Sequence, residues 1–325
     1  MSINALEYRP PWLLRNHHLS TIYPALFRKV KEVNYQRERI DTPDGDFLDL
    51  DFSKVGSNTL LIAVHGLEGN ADAPYIRGLV RQTNVRGWDA LAINLRGCSG
   101  EPNKVFASYH SGQSSDLSLI IEHILDRHSD YTHLFLAGFS LGGNICLKFA
   151  GEKAGDIPAK LRGLVAVSVP TNLMASAHHL ARLSNWAYMR HFLITLKRKA
   201  LEKKDRFPDA PFSKADIRRA RNFVDYDNMY TAPSHGFRDA EDYWTQSASA
   251  QFIPAIQLPT LIINALNDPF LPEVCYPYAE VASNAHVTLE TPKYGGHVGF
   301  VSDLRMQRPF WQEKKILDFF AGHLS

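Results

Sequence analysis

The sequence predicts an α/β protein: a mostly parallel central sheet flanked by helices, interrupted by an inserted helical segment. Three observations carry this reading. Short apolar runs alternate with helical stripes along the chain. Most of those runs are continuous, as strands buried on both faces require. The rhythm then stops between about Pro170 and Phe252, where the sequence offers helical patterns and no convincing strand. Alternating buried strands and helices pack as a sheet covered on both sides.

The elements follow in order. Phe47 to Phe52 alternates apolar and acidic residues and reads as a half-exposed strand. Leu60 to Val64 is a buried strand, Pro74 to Arg86 a helix, and Ala90 to Leu95 a second buried strand. Asp116 to Arg127 places apolar residues at 117, 120, 121, 124 and 125, a helical stripe. Leu134 to Ala137 is a strand, Leu141 to Ala150 a helix, and Leu164 to Val167 a strand. Leu261 to Ala265 and His286 to Leu289 add two strands, and Phe310 to Phe320 closes the chain as a helix. Within the interruption, His178 to Lys199 and Lys214 to Val224 carry helical patterns. The expected division is a core of residues 1–170 and 251–325, with residues 171–250 as a helical cap. Such a cap would lie over the carboxyl edge of the sheet, where open α/β sheets bind ligands.

Composition narrows the function classes. Of 325 residues, 45% are apolar and 22% charged, which is globular composition. Lys+Arg 36 against Asp+Glu 34 leaves a net charge of +2, so no nucleic-acid partner is expected. No apolar run approaches the roughly 18 residues of a transmembrane helix. Met1 to Glu7 lacks a basic stretch leading into an apolar one, so no secretory leader is expected. Cys98, Cys146 and Cys275 form neither an even disulfide set nor a CxxC pair. The expected location is the cytoplasm. The basic stretch Lys197-Arg198-Lys199, with Lys203, Lys204 and Arg206, reads as a solvated helix face; contact with anionic lipid or nucleic acid is its alternative.

Gly138-Phe139-Ser140-Leu141-Gly142 matches G-x-S-x-G. Chance alone would place such a match in about one chain in ten of this length, so context must decide. The motif begins directly after a strand and ends directly before a helix, which is the strand–turn–helix setting of a serine nucleophile. The tight turn lifts the hydroxyl clear of the backbone, and side chains at 138 or 142 would collide with neighbouring elements. Gly97-Cys98-Ser99-Gly100 brings its second glycine one position early and is not the same motif. Its Cys98 reads as a packed thiol.

A serine hydroxyl needs a general base, itself oriented by a third group. Among 14 histidines, position selects His297, in a Gly-Gly-His loop after the last strand and before the final helix. His286 begins a strand and His323 ends the chain, so both are poorer. Asp268 follows the strand ending at Ala265 and is favoured as the acid, with Glu273 in reserve. The competing reading of Asp268 is an Asx-type turn ahead of Pro269. Oxyanion donors are expected from the backbone N–H of Leu141 and, in the loop His65-Gly66-Leu67-Glu68-Gly69, of Leu67. His65 reads as a brace for that loop.

The adjacent pairs His17-His18 and His178-His179 do not make metal clamps, because neighbouring side chains diverge on helix and strand alike. No HExxH, CxxC, P-loop or dinucleotide fingerprint occurs, so neither metal nor cofactor is expected. Tyr226, Tyr230, Phe237, Tyr243 and Trp244 give the end of the cap an aromatic character. Cap packing is their ordinary use, and lining an acyl pocket the alternative.

With these residues in place, the chain resembles the α/β-hydrolase superfamily, and within it the YheT-like esterase/hydrolase family. The likeness runs from about Pro11 to Phe320. It rests on Asn16-His17-His18-Leu19-Ser20-Thr21, the His65 to Gly69 loop, Arg96 to Asn103, Tyr109 to Gly112, Gly138 to Asn144, Thr231 to Phe237, Asp268-Pro269-Phe270 and Gly295 to Phe300. Ser20 departs from the group, which has glutamine there. The resemblance implies a charge relay of Ser140, Asp268 and His297 and hydrolysis of carboxylic esters.

The expected function is a cofactor-free serine carboxylesterase acting on a small-molecule ester, with acylglycerol or other lipid-like esters among its candidates. An acyltransferase using the same three residues, and a catalytically silent binding module, are the alternatives.

Overall fold

The computed structural model describes residues 8–306 and 308–324. The segment read above for a leader, residues 1–7, lies outside the described residues. Eight strands form one sheet: β1 (Gln36–Asp41), β2 (Phe47–Ser53), β3 (Thr59–Val64), β4 (Asp89–Asn94), β5 (His133–Phe139), β6 (Leu161–Val167), β7 (Thr260–Ile263) and β8 (Val287–Glu290). Their order across the sheet is β1-β2-β4-β3-β5-β6-β7-β8. β1, β2 and β4 pair antiparallel, and every pairing from β4 through β8 is parallel.

The helices are α1 (His17–Phe27), α2 (Pro74–Val85), α3 (Ser114–Arg127), α4 (Leu141–Glu152), α5 (Leu173–Leu180), α6 (Trp186–Arg206), α7 (Lys214–Arg219), α8 (Phe223–Tyr226), α9 (Ala232–Ser234), α10 (Ala240–Ser247), α11 (Tyr278–Ala282) and α12 (Trp311–Ala321). Two apolar layers sandwich the sheet. One joins Leu60, Ile62, Leu134 and Leu136 to α3 and α4; the other joins Leu61, Ala63, Phe135 and Ala137 to α2 and α12. Successive side chains of one strand enter opposite layers, which is why β3 and β5 show no polar alternation.

The sequence reading differs from this fold at three points. β1 was invisible to it, because Gln36-Arg37-Glu38-Arg39-Ile40-Asp41 carries almost no apolar signal. β2 is buried along its whole length, not half-exposed. Both errors have one cause: the Arg37 and Arg39 guanidiniums lie across β2 and pair with Asp51 and Asp49, each at 2.7 Å. Charges on an edge strand also discourage pairing with another sheet. The third difference is in the interruption: the expected helix at 178–199 is two helices, α5 and α6, and the one expected at 214–224 is also two, α7 and α8. Asn185, buried between α5 and α6, donates its side-chain amide to the carbonyls of His179 and Pro269, each at 3.1 Å. A break made by tertiary contacts carries no Gly or Pro signal.

Candidate active site

β5 delivers the chain to Ser140, and α4 begins at the next residue. Ser140 has φ 53° and ψ −122°, a conformation L-residues adopt only when their surroundings impose it. The glycines around it explain how the turn is tolerated. A Cβ on Gly138 would stand 2.6 Å from the Gly142 carbonyl oxygen and 2.7 Å from the Gly143 Cα, and one on Gly142 would strike the carbonyls of Val64 and His65.

His297 Nε2 lies 2.9 Å from Ser140 Oγ. On the other side of the ring, Nδ1 lies 2.9 and 3.1 Å from the two oxygens of Asp268. With Nδ1 protonated, the ring donates to the carboxylate and Nε2 accepts from the serine hydroxyl. Asp268 is buried, and its Oδ1 also accepts the Phe270 N–H at 2.9 Å. The Asx-type turn and the partner for histidine are thus two uses of one carboxylate. Glu273 is exposed, His286 is exposed, and His323 donates from Nδ1 to the Phe319 carbonyl at 2.8 Å at the end of the last helix.

Several supports of this arrangement were not apparent from the sequence. The Phe270 ring stacks on His297 with centroids 4.0 Å apart. Thr21 Oγ1, on α1, accepts the His297 N–H at 2.9 Å, and Ser168 Oγ accepts the Val298 N–H at 2.9 Å. Gly296 and Gly299 lie directly against Ser20, so the N-terminal helix packs on the histidine loop. A smaller side chain at position 20 suits that close approach. The Asn16-His17-His18 motif was the available signal for Thr21, but nothing in its spacing announces the contact.

The loop after β3 is held from several sides. Buried His65 donates from Nδ1 to the Gly66 carbonyl at 2.7 Å and accepts the Leu95 N–H at Nε2 at 3.1 Å, so it braces two loops. Burial pushes its pKa down to about 4, keeping it neutral for both bonds. The Gly66 N–H donates to Tyr75 Oη at 3.0 Å and the Glu68 N–H to Tyr109 Oη at 2.8 Å. Between them, the Leu67 N–H has no protein acceptor among the described residues, and neither has the Leu141 N–H in the first turn of α4.

Two apolar cavities meet at Ser140 and His297. One lies beneath the helices between β6 and β7 and is lined by Leu173, Leu180, Leu196, Tyr226, Tyr230 and Trp244, among others. Tyr243 also reaches it, whereas Phe237 packs behind, against Tyr243 and His110. The polar tips of these rings are hydrogen-bonded: Tyr230 Oη donates to the Phe106 carbonyl, Tyr243 Oη to Ser111 Oγ and Trp244 Nε1 to Asp227. The second cavity runs between α1 and the start of α6, along Ile22, Leu26, Tyr75, Ala187 and His191.

The basic stretch on α6 is not a solvated face throughout. Lys203 is buried, with its ammonium on the carbonyls of Asn103 and Val105. Lys199 pairs with Glu68 at 2.9 Å and reaches Cys98 Sγ at 3.3 Å. Cys98 is the packed thiol expected, its pKa pushed up to about 12 by burial. Among the described residues, the grouping suited to a metal is Glu38, His123 and His128, where both histidine Nε2 atoms meet the carboxylate. It ties β1 to α3, and none of the three lines a cavity at Ser140. The His17-His18 and His178-His179 pairs form no such group.

A strand–serine–helix turn on a largely parallel eight-stranded sheet, with histidine and aspartate on later loops, defines an α/β hydrolase. The sequence profile described as the alpha/beta hydrolase fold matches residues 59–304. The chain is 33% identical over 327 residues to the Escherichia coli (strain K12) protein named "Putative esterase YheT", covering 99% of this chain and 95% of that one. The chain belongs to the α/β-hydrolase family, in its YheT-like branch. It is also 25% identical to mouse (Mus musculus) Phospholipase ABHD3, over 91% of this chain and 74% of that protein. To the Monoacylglycerol lipase of Saccharomyces cerevisiae it is likewise 25% identical, over 94% of this chain and 78% of the relative. Among solved structures, an esterase of Pyrococcus furiosus superposes with a TM-score of 0.61 at 16% identity, covering 97% of each chain.

Proposed function

We propose that the chain is a serine-dependent carboxylic ester hydrolase with Ser140 as nucleophile, His297 as general base and acid, and Asp268 as its orienting carboxylate. The observation that carries this is the unbroken hydrogen-bond path from Ser140 Oγ through His297 to Asp268 at 2.9 Å per step. Ser140 Oγ attacks the ester carbonyl carbon while its proton passes to His297 Nε2. Asp268 holds the ring tautomer and stabilises the imidazolium. The carbonyl oxygen, now an anion, takes the Leu67 and Leu141 N–H donors. The intermediate collapses, the C–O bond breaks, and the alcohol leaves with the proton from His297. Water then adds to the acyl-enzyme, yields a proton to His297, and releases the acid and Ser140.

Residues 171–250 act as a cap, and residues 1–170 and 251–325 as the core. The two apolar cavities meeting at Ser140 suit an ester with a hydrophobic group on each side of the carbonyl. The names of the phospholipase and monoacylglycerol lipase relatives support lipid-like esters as the substrate class.

The test is fluorophosphonate labelling with peptide mapping, on the wild type, Ser140→Ala and His297→Ala. A single adduct on Ser140, lost in both variants, is expected. Labelling at another serine, or undiminished labelling of folded His297→Ala, overturns the assignment. Turnover of a series of soluble esters of increasing acyl length then tests the substrate class: preference for the shortest chain would count against it.

A further inference from the structure

Several exposed apolar side chains lie on the two segments that frame one opening. Trp12, Leu26 and Phe27 at the N-terminal end of the fold, and Leu183 and Trp186 at the start of α6, are each more than half exposed. Isolated exposed hydrophobics are ordinary, whereas a contiguous group marks an interaction site. These residues lie on two segments that touch. His18 Nδ1 and Tyr188 Oη are 3.0 Å apart, joining α1 to α6. Ile22 and Leu26 from α1, with Ala187 and His191 from α6, line the cavity that leads to Ser140 and His297. Of the exposed group, Leu26 lines that cavity, and Phe27 and Trp186 are the chain neighbours of its lining residues Leu26 and Ala187.

α1 is anchored at its end. Arg28, at its end, is buried against Glu313 of α12, with Nη2 and Oε1 2.6 Å apart, and its guanidinium lies 3.6 Å from the Phe310 ring centroid. Leu19, Ile22 and Leu26 recur at helical spacing on one face of α1.

Charge narrows the identity of the covering partner. No Asp or Glu occurs from Tyr8 to Lys31, or from Ile157 to Leu201. These segments supply Arg15, Lys29 and Lys31 in one and Arg182 and Arg190 in the other, and Glu68 in the cavity lining is paired with Lys199. A face combining exposed tryptophan, aliphatic residues and charge of one sign is complementary to a lipid interface with anionic headgroups. A protein partner would not require exposed tryptophan on both segments together with stretches free of acidic residues.

We infer that α1 and the start of α6 form a docking face for an anionic phospholipid surface, with the cavity mouth turned toward the lipid. On the hydrolase reading, an ester would enter from the bilayer plane without crossing water. The binding itself does not depend on that reading.

The test is flotation of the full chain with vesicles of phosphatidylcholine alone and of equal phosphatidylcholine and phosphatidylglycerol, at low and high salt. The comparison variant is Phe27→Asp/Trp186→Asp, two exposed positions outside the cavity lining. The wild type should float with the anionic vesicles, less so at high salt. The variant's bound fraction should fall more than roughly tenfold, with circular dichroism and soluble-ester turnover unchanged. Failure of the wild type to float, equal flotation on neutral vesicles, or undiminished flotation of the variant would overturn the proposal. So would self-association of the wild type that the variant abolishes without any vesicle binding, since a second copy would then cover this face. Absence of soluble-ester turnover with intact flotation would count against the hydrolase reading alone.

Discussion

The Lys199 ammonium on α6 stands 2.9 Å from the carboxylate of Glu68, the residue after Leu67. Burial works against the charge on Lys199, but Cys98 and Glu68 more than offset it, so its pKa lies above the ordinary value. Tyr109 Oη donates to the same carboxylate at 2.9 Å while accepting the Glu68 N–H. Glu68 itself has a positive φ of 56°. The helical segment between β6 and β7 thus reaches down to hold the loop that presents the Leu67 N–H. Lys199→Met is expected to lower kcat for a soluble ester by roughly tenfold, through misplacement of one oxyanion donor, with little change in KM. Lys199→Arg should restore part of the rate. Steady-state kinetics on the three proteins checks this, and an unchanged kcat in Lys199→Met would show that the pair has no such role.

Asp268 and Glu273 separate the two acids that the loop after β7 offers. Asp268→Asn keeps the bond from Phe270 N–H yet presents an amide to His297, favouring the wrong tautomer. A kcat loss of roughly 10⁴-fold is expected with the fold retained. Glu273→Gln should leave the rate unchanged, because that side chain is exposed and away from the histidine. Comparable losses in both variants would dismiss the assignment.

Gly138→Ala tests the packing beneath the serine. Its methyl group would meet backbone atoms of Gly142 and Gly143 and the Cys146 sulfur at 2.6 to 2.8 Å. Backbone cannot rotate away as a side chain can, so the turn must shift. A loss of stability of about 1–3 kcal/mol is expected, together with reduced fluorophosphonate labelling of Ser140. Chemical denaturation measures the first and gel fluorescence the second.

Asp227 gives a pH signature. It is buried beside the cavity under the helices between β6 and β7, with Thr231 Oγ1 and Trp244 Nε1 donating to it, and burial lifts its pKa from 3.8 to about 6. An acid with a raised folded pKa takes up its proton more readily folded than unfolded. Its contribution is most favourable below pH 4 and is lost as pH rises through 6, a difference of about 3 kcal/mol. Buried His65, His110 and His235, with pKa values lowered by burial to about 4, 3 and 4, act in the opposite direction, weakening the fold as pH falls below 6.5. Comparing wild type with Asp227→Asn isolates the acid. The variant's Tm should exceed the wild type's at pH 7.5, and the gap should close by pH 4. A gap independent of pH would exclude titration of Asp227 as the cause.

Local pattern alone revealed much of this protein. Continuous apolar runs from Leu60 to Val64 and from Leu134 to Ala137 mark strands buried on both faces, because apolar burial is written residue by residue. The glycines at 138 and 142 mark the turn at Ser140, because a backbone that excludes Cβ atoms leaves its trace in the sequence itself. Chain order then singled out His297 and Asp268 from many residues of their kinds. Tertiary structure decided what no window of sequence contains. β1 exists as a strand because Arg37 and Arg39 find Asp51 and Asp49 across the sheet, not because its own residues are apolar. The helix break near Asn185 arises from carbonyls brought there by His179 and Pro269. Lys199 and Lys203 look like surface charge until the fold supplies Glu68 and two backbone carbonyls beneath them. In each case the stabilising partner is distant in the chain, and an interaction energy belongs to the pair, so neither residue alone announces it.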